Sequence, residues 1–153
     1  LIGRLAHHPL YRALRPDKMT LAALAGTLRL CVSGDKAASR IPVTATLNTP
    51  VRTLHRRAVQ VRTAVRKARK DLILEVVEDT SYAGGGALPM EALPTVALHL
   101  KHPSLAPNPI AEALRKSDPP IIGRISENQF LLDLRTVFPR ELPHLIRAII
   151  ALS

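Results

Sequence analysis

The chain has 153 residues, 46% of them hydrophobic and 22% charged, a globular composition of single-domain size that excludes wholesale disorder. Lys and Arg number 22 against 12 Asp and Glu, and no apolar run approaches the roughly 20 residues that span a bilayer. Cys31, the one cysteine, excludes a disulfide framework and a cysteine-rich zinc module, and it fits a reducing compartment. With no Trp, two Phe and two Tyr, an aromatic stacking platform for single-stranded nucleic acid is excluded as well. The chain begins at Leu1 with neither a methionine nor a signal-peptide pattern, and it reads as a fragment.

Leu1 to His8 reads as the end of a helix stopped by Pro9, with Ile2 and Leu5 apolar. Leu10 to Arg15 is a short basic turn or helix, and Pro16 pushes Arg15 towards extended backbone. Asp17 then caps a helix running to about Val32, with an apolar stripe of Leu21, Leu24, Leu28 and Cys31. Gly26 within it costs up to ~1 kcal/mol relative to Ala, so close packing against a neighbour is its expected reason. Ser33-Gly34-Asp35 ends this helix. Arg40 to Leu47 is ambiguous between a short helix, with Pro42 at its first position, and a strand.

The excess charge is concentrated in the next segment. Between Val51 and Lys70 lie Arg52, Arg56, Arg57, Arg62, Arg66, Lys67, Arg69 and Lys70 with no acid among them, whereas the rest of the chain carries 14 cations against 12 acids. Val51, Leu54, Ala58, Val61, Val65 and Ala68 recur at three- and four-residue spacing, which predicts a helix with a narrow apolar stripe surrounded by cations. Asn48 or Thr49 is expected to cap it, with Pro50 in its first turn. Two interpretations stay open: a solvated amphipathic helix lying on a sheet, or a helix whose Arg52, Arg56, Arg62 and Arg66 also meet a polyanion. The absence of interleaved aromatics favours phosphate contact over base recognition.

Beyond Lys70 the period becomes strand-like. Leu72 to Glu78 and Thr95 to Lys101 predict two short strands, with residues 81–89 as a glycine-rich loop between them. Pro109 to Lys116 predicts a short helix. Ile121 to Ser126 and Gln129 to Val137 predict a hairpin turning at Glu127-Asn128, with Phe130, Leu132 and Leu134 on one face. Pro139 opens a last helix that turns Leu142, Leu145, Ile146 and Ile149 inward. This order predicts an α+β layer, a small, mostly antiparallel sheet with helices on one face.

Several chemistries find no support. Gly84-Gly85-Gly86 lacks a following Gly-Lys-Ser/Thr and a helix opening after it, so it is not a P-loop. His99 and His102 point to opposite faces at strand spacing and His7 and His8 are adjacent, so no metal site is expected. There is no Gly-x-Ser-x-Gly elbow for a hydrolase. Arg12 and Arg15, three residues apart, can share a face of a short helix, with Lys18 at the next turn. Guanidinium pairs of this kind suit bidentate binding of phosphate-like oxyanions, although a surface or salt-bridged cluster is the simpler alternative.

His8-Pro9-Leu10, Arg12-Ala13-Leu14-Arg15 and Asp17-Lys18-Met19-Thr20-Leu21-Ala22-Ala23-Leu24 resemble bacterial selenocysteine synthases, the L-seryl-tRNA(Sec) selenium transferases. Gly84-Gly85-Gly86-Ala87-Leu88-Pro89 is similar to that family's glycine-rich Ser-Leu-Pro loop, with Ala87 in place of its usual hydroxyl residue. Pro119-Pro120-Ile121-Ile122-Gly123-Arg124-Ile125 and Leu131-Leu132-Asp133-Leu134-Arg135-Thr136-Val137 resemble its C-terminal hairpin.

The resemblance implies the C-terminal small domain of a fold-type I pyridoxal-phosphate-dependent transferase. Residues 1–32 would be a helical connector carrying the arginine block, and 33–153 the α+β small domain. It further implies conversion of seryl-tRNA(Sec) to selenocysteinyl-tRNA(Sec) with selenophosphate, in a cytoplasmic homodecamer that binds tRNA(Sec). Arg12 and Arg15 would bind the selenium donor's anion. The family's Schiff-base lysine, in a Ser-Gly-Asp-Lys motif, lies upstream of the region matched by Leu1. Residues 33–36 spell the same four letters downstream of the arginine block, so that role is not carried over, and the fragment alone is expected to hold no pyridoxal phosphate, to be inactive and to self-associate. Two alternatives are a related pyridoxal-phosphate enzyme acting on a small amino acid, and a non-catalytic basic RNA-binding module.

Overall fold

The computed structural model describes residues 2–34, 39–83 and 88–153. Asp35 and Lys36 of the tetrapeptide at 33–36, and Gly84 to Ala87 of the glycine loop, lie outside the described residues. The chain divides into two compact units, 1–45 and 46–153.

The first unit holds helices α1 (Ile2–Ala6), α2 (Leu10–Ala13) and α3 (Lys18–Val32). Asp17 caps α3 as expected: its carboxylate accepts hydrogen bonds from the Met19 amide at 2.7 Å and from the Thr20 amide and hydroxyl, both at 2.9 Å. These bonds, the Thr20 amide first, hold the Asp17 carboxyl below the ordinary carboxylate range. The apolar stripe is not buried. Leu21, Leu24 and Leu28 are each half exposed and Cys31 is exposed, and no described residue of this unit is buried. The packing reason expected for Gly26 is therefore corrected: a Cβ built there meets nothing within 4 Å. The ambiguous segment is a helix, α4 (Pro42–Leu47), opening at Pro42.

The second unit is built on α5 (Val51–Ala68), whose Leu54, Ala58, Val61 and Val65 are all fully buried. The expected cap differs. Pro50 itself occupies the N-cap, with no side-chain capping bond, and its carbonyl accepts from the Thr53 and Leu54 amides. The carbonyl of Thr49 instead accepts from Arg135.

Strands β1 (Ile73–Ala83), β2 (Leu88–Lys101), β3 (Arg124–Ser126) and β4 (Gln129–Asp133) form an antiparallel sheet in the order β1-β2-β4-β3. The first two are longer than expected and shorten the predicted 81–89 loop. Pro89 and Pro94 concealed this, because a central strand does not tolerate proline. Pro94 sits where β2 pairs with β1 alone, since β4 reaches only Ala97 to Leu100, and Pro89 falls at the register shift between Leu88 and Ala92, outside the β1 pairing. The second hairpin turns where expected: Glu127 and Asn128 have φ of 50° and 58°, the left-handed pair of a two-residue type I′ turn. Its strands are shorter than expected. The Ile121 amide is taken by the Leu114 carbonyl at the end of α6 (Pro107–Arg115). At the other end the Asp133 carboxylate accepts from the Arg135 amide at 2.8 Å and opens a 3-10 turn over Leu134–Thr136. Pro139 begins a second such turn, Pro139–Glu141, and the final helix α7 spans Leu142–Ile150.

Alternation along the strands sorts the sheet into two faces. Leu74, Val96, Leu98, Leu100, Phe130 and Leu132 pack in one core with residues of α5, α6 and α7, so these helices cover one face. The opposite face carries a polar network. The Asp133 carboxylate accepts from Thr95 at 2.9 Å and from the Ser81 hydroxyl, Arg124 pairs with Asp79, and Glu75 bridges Lys101 at 2.8 Å and His99 at 3.2 Å.

Candidate functional site

Two groups of cations were singled out by sequence, one in each unit. Arg12 lies in the four-residue helix α2, which ends at Ala13, so Arg15 stands beyond the helix rather than one turn along it. Both are exposed, and neither makes a hydrogen bond or ion pair among the described residues. Arg15 lines an open cleft of about 470 Å³ with Leu5, His8, Leu10, Tyr11, Leu14 and Pro16; Arg12 is not part of its lining. His8 closes the turn before α2, its Nδ1 accepting from the Leu10 amide at 3.2 Å. The result is a mostly apolar hollow with one guanidinium at its wall. Lys18 opens α3 directly after the Asp17 cap.

The basic segment is more specialised than its composition suggests. Two of its eight cations turn inward and serve the fold. Arg57 donates to the Val137 carbonyl at 3.0 Å. Arg69 donates to the carbonyls of Ile150 and Leu152 at 2.9 and 2.7 Å, at the C-terminal end of α7, where a cation complements the helix dipole. Arg69 also grips Asp71 with two nitrogens, at 2.8 and 2.6 Å. These bonds are the main reason the Asp71 carboxyl is pulled down to about 2. The other six cations make no hydrogen bond or ion pair among the described residues. They are Arg52, Arg56, Arg66, Lys67 and Lys70, all exposed, and the half-buried Arg62.

The Asp71 shift fixes a pH dependence. A carboxyl held at about 2 in the folded state, from an ordinary 3.8, contributes stability that is present above the ordinary value and lost as pH falls through the folded one. The urea midpoint of Asp71→Asn is therefore expected below that of the unsubstituted chain at pH 6. The gap should shrink from about pH 4 downwards and close near pH 2. A gap independent of pH would show that the pair acts through geometry alone.

His99 is buried against Glu75, and His102 sits just after β2 with its Nδ1 accepting the Ser104 and Leu105 amides, both at 3.2 Å. Among the described residues no group of three or more His, Cys, Asp or Glu comes together, and no helix is long and apolar enough to cross a membrane. The described lysines, Lys18, Lys67, Lys70, Lys101 and Lys116, are all exposed. None stands in the desolvated pocket that activates an amine for imine chemistry, so none of these five lysines fits as the imine-forming residue of pyridoxal phosphate.

The chain is thus an antiparallel α+β domain with a basic helix, preceded by a helical unit carrying an exposed arginine block. Its affiliation follows from comparison with known proteins. The family model for L-seryl-tRNA selenium transferase matches residues 1–138, and the chain belongs to that family. It is 39% identical over 153 residues to the L-seryl-tRNA(Sec) selenium transferase of Moorella thermoacetica, covering 98% of this chain and 32% of the relative. The enzyme of the same name from Hyphomonas neptunium is 37% identical over 150 residues, covering 97% and 32%. That of Geobacter metallireducens is 37% identical over 153 residues, covering 99% and 33%. The chain spans about a third of the length of the curated relatives it matches.

Proposed function

We propose that this chain is the C-terminal part of a cytoplasmic, homo-oligomeric enzyme that converts seryl-tRNA(Sec) to selenocysteinyl-tRNA(Sec) with selenophosphate. In this reading it is the small domain of a fold-type I pyridoxal-phosphate transferase, and the oligomer is a decamer. The observation that carries it is the family match running unbroken through the arginine block and the sheet to residue 138. Pyridoxal phosphate, when bound, supplies the electron sink for loss of the seryl hydroxyl; its holders belong to the remainder of the enzyme. The contribution of this chain is Arg12 and Arg15. Exposed and without acid partners, they hold the oxyanion of the selenium donor by charge-assisted hydrogen bonds. The chain by itself is inactive.

Arg12→Ala or Arg15→Ala in the full-length enzyme is expected to lower selenium transfer from selenophosphate by about 10- to 100-fold, the worth of one charge-assisted hydrogen bond. The cofactor's absorbance spectrum and its affinity should stay unchanged. Unaltered transfer in both variants, or parallel loss of cofactor, would remove the two arginines from the donor site.

A further inference from the structure

We propose that the outward face of α5 is a track for the phosphate backbone of RNA, carried by Arg52, Arg56, Arg62, Arg66, Lys67 and Lys70. Elsewhere in the second unit Lys101 pairs with Glu75, Lys116 with Glu112 and Arg124 with Asp79, and the exposed cations without an acid among the described residues, Arg115, Arg140 and Arg147, are scattered over separate elements. On α5 five cations, Arg52, Arg56, Arg62, Arg66 and Lys67, have found none over a helix about 27 Å long, and Lys70 just beyond its end makes a sixth. Arg62 and Arg66, one helical turn apart, stand in one row, and Lys70 beyond the helix end lines the same clefts. They form a wall of a cleft of about 410 Å³ against Leu72, Ile73 and Leu74, and with Thr63 and Lys67 they line a second of about 480 Å³. Like charges at this spacing destabilise the helix by a few tenths of a kcal/mol per pair. A linear polyanion relieves that repulsion along the whole row, with release of its counterions.

The geometry selects among polyanions. A helix lying on a membrane inserts its apolar face, but Leu54, Ala58, Val61 and Val65 of α5 are wholly committed to the core. A basic helix without a free apolar stripe is left with electrostatics alone. No Phe, Tyr or Trp lies within α5, whose one ring is the imidazole of His55, so there is no stacking platform for successive bases and the contact is to phosphates, independent of sequence. The inference rests on the proposed function only for the choice of RNA over an acidic polypeptide.

The test uses the 153-residue chain, a fluorescent tRNA(Sec) transcript without selenium donor or cofactor, and a salt titration. Arg56→Glu/Arg62→Glu/Arg66→Glu is expected to weaken binding at least tenfold at 0.1 M salt. It should also reduce the slope of log affinity against log salt by about 2, as for the loss of two to three phosphate contacts. Should the triple glutamate variant fail to fold by circular dichroism, the corresponding triple glutamine variant decides, with the same direction. Arg115→Glu/Arg147→Glu, which lowers net charge away from α5, is expected to keep most of the affinity. Equal losses in both sets would overturn the track in favour of bulk charge, and unchanged binding in the α5 variants would overturn it outright. Tighter binding to phosphatidylserine vesicles or to polyglutamate than to the transcript would assign the face to a membrane or an acidic protein and equally overturn it. Because neither selenophosphate nor Arg12 and Arg15 enter this measurement, its failure is distinguishable from failure of the transferase reading.

Discussion

Replacing Arg135 with Met is expected to destabilise the second unit by about 3 kcal/mol, more than any exposed substitution in the chain, because four backbone carbonyls depend on one buried guanidinium. Arg135 is 7% exposed. Its Nη1 donates to the carbonyls of Thr46, Leu47 and Thr49 at 3.2, 2.9 and 3.2 Å, and its Nη2 donates to that of Pro94 at 2.6 Å. The first two belong to the C-terminal end of α4, whose last carbonyls have no partner within the helix. Pro94 sits in the singly paired part of β2. Met fills much of the same volume, so the loss isolates the hydrogen bonds from the packing. Lys, a point donor on a similar stem, cannot span the two segments with a planar fork, and Arg135→Lys should recover less than half of the loss. Urea unfolding of the three chains at pH 7 measures this. A loss below 1 kcal/mol for Arg135→Met would mean that water replaces the guanidinium at these carbonyls.

The same residue shows where sequence stops informing. Arg57, Arg69 and Arg135 satisfy carbonyls 41 to 89 residues away in the chain, and no local pattern announces such a partner. Counting cations over Val51 to Lys70 therefore located the basic surface but overstated it by the two that the fold consumes. Features set by neighbours in sequence were legible. The buried stripe of α5, the Asp17 cap and the Glu127-Asn128 turn follow from spacing and turn chemistry, and each is present. The stripe of α3 obeys the same periodicity and stays exposed, because periodicity names the face that wants cover without naming what covers it. The arginine block differs again. Its chemistry suggested an oxyanion, but only the resemblance singled it out from other exposed arginines, since Arg12 and Arg15 share neither a helix nor a cleft lining.

Gly123→Ala is expected to cost about 3 kcal/mol, the upper end for one added methyl group in a packed site. Gly123 directly precedes β3, which pairs Ile125 with Phe130 of β4. A Cβ built on it would stand 2.3 Å from Cζ and 2.5 Å from Cε2 of Phe130, and 2.9 Å from the Leu131 carbonyl oxygen. No carbon reaches these distances without displacing its neighbour. The ring cannot yield cheaply, because Phe130 is fully buried in the main core with Leu98, Leu100 and Ile110 and interiors are packed close to crystal density. Nor can the backbone of β4, held between β2 and β3. The cost should therefore depend on the ring. Phe130→Leu alone destabilises by opening a cavity, but in Gly123→Ala/Phe130→Leu the new methyl occupies part of that space. The double variant is expected to be more stable than the sum of the single losses predicts, by at least about 1 kcal/mol of favourable coupling. Thermal or urea unfolding of the four chains closes this cycle. Strict additivity would show that the strain falls on the Leu131 carbonyl rather than on the ring, and that Gly123 is required by the strand's backbone instead of by the aromatic side chain beneath it.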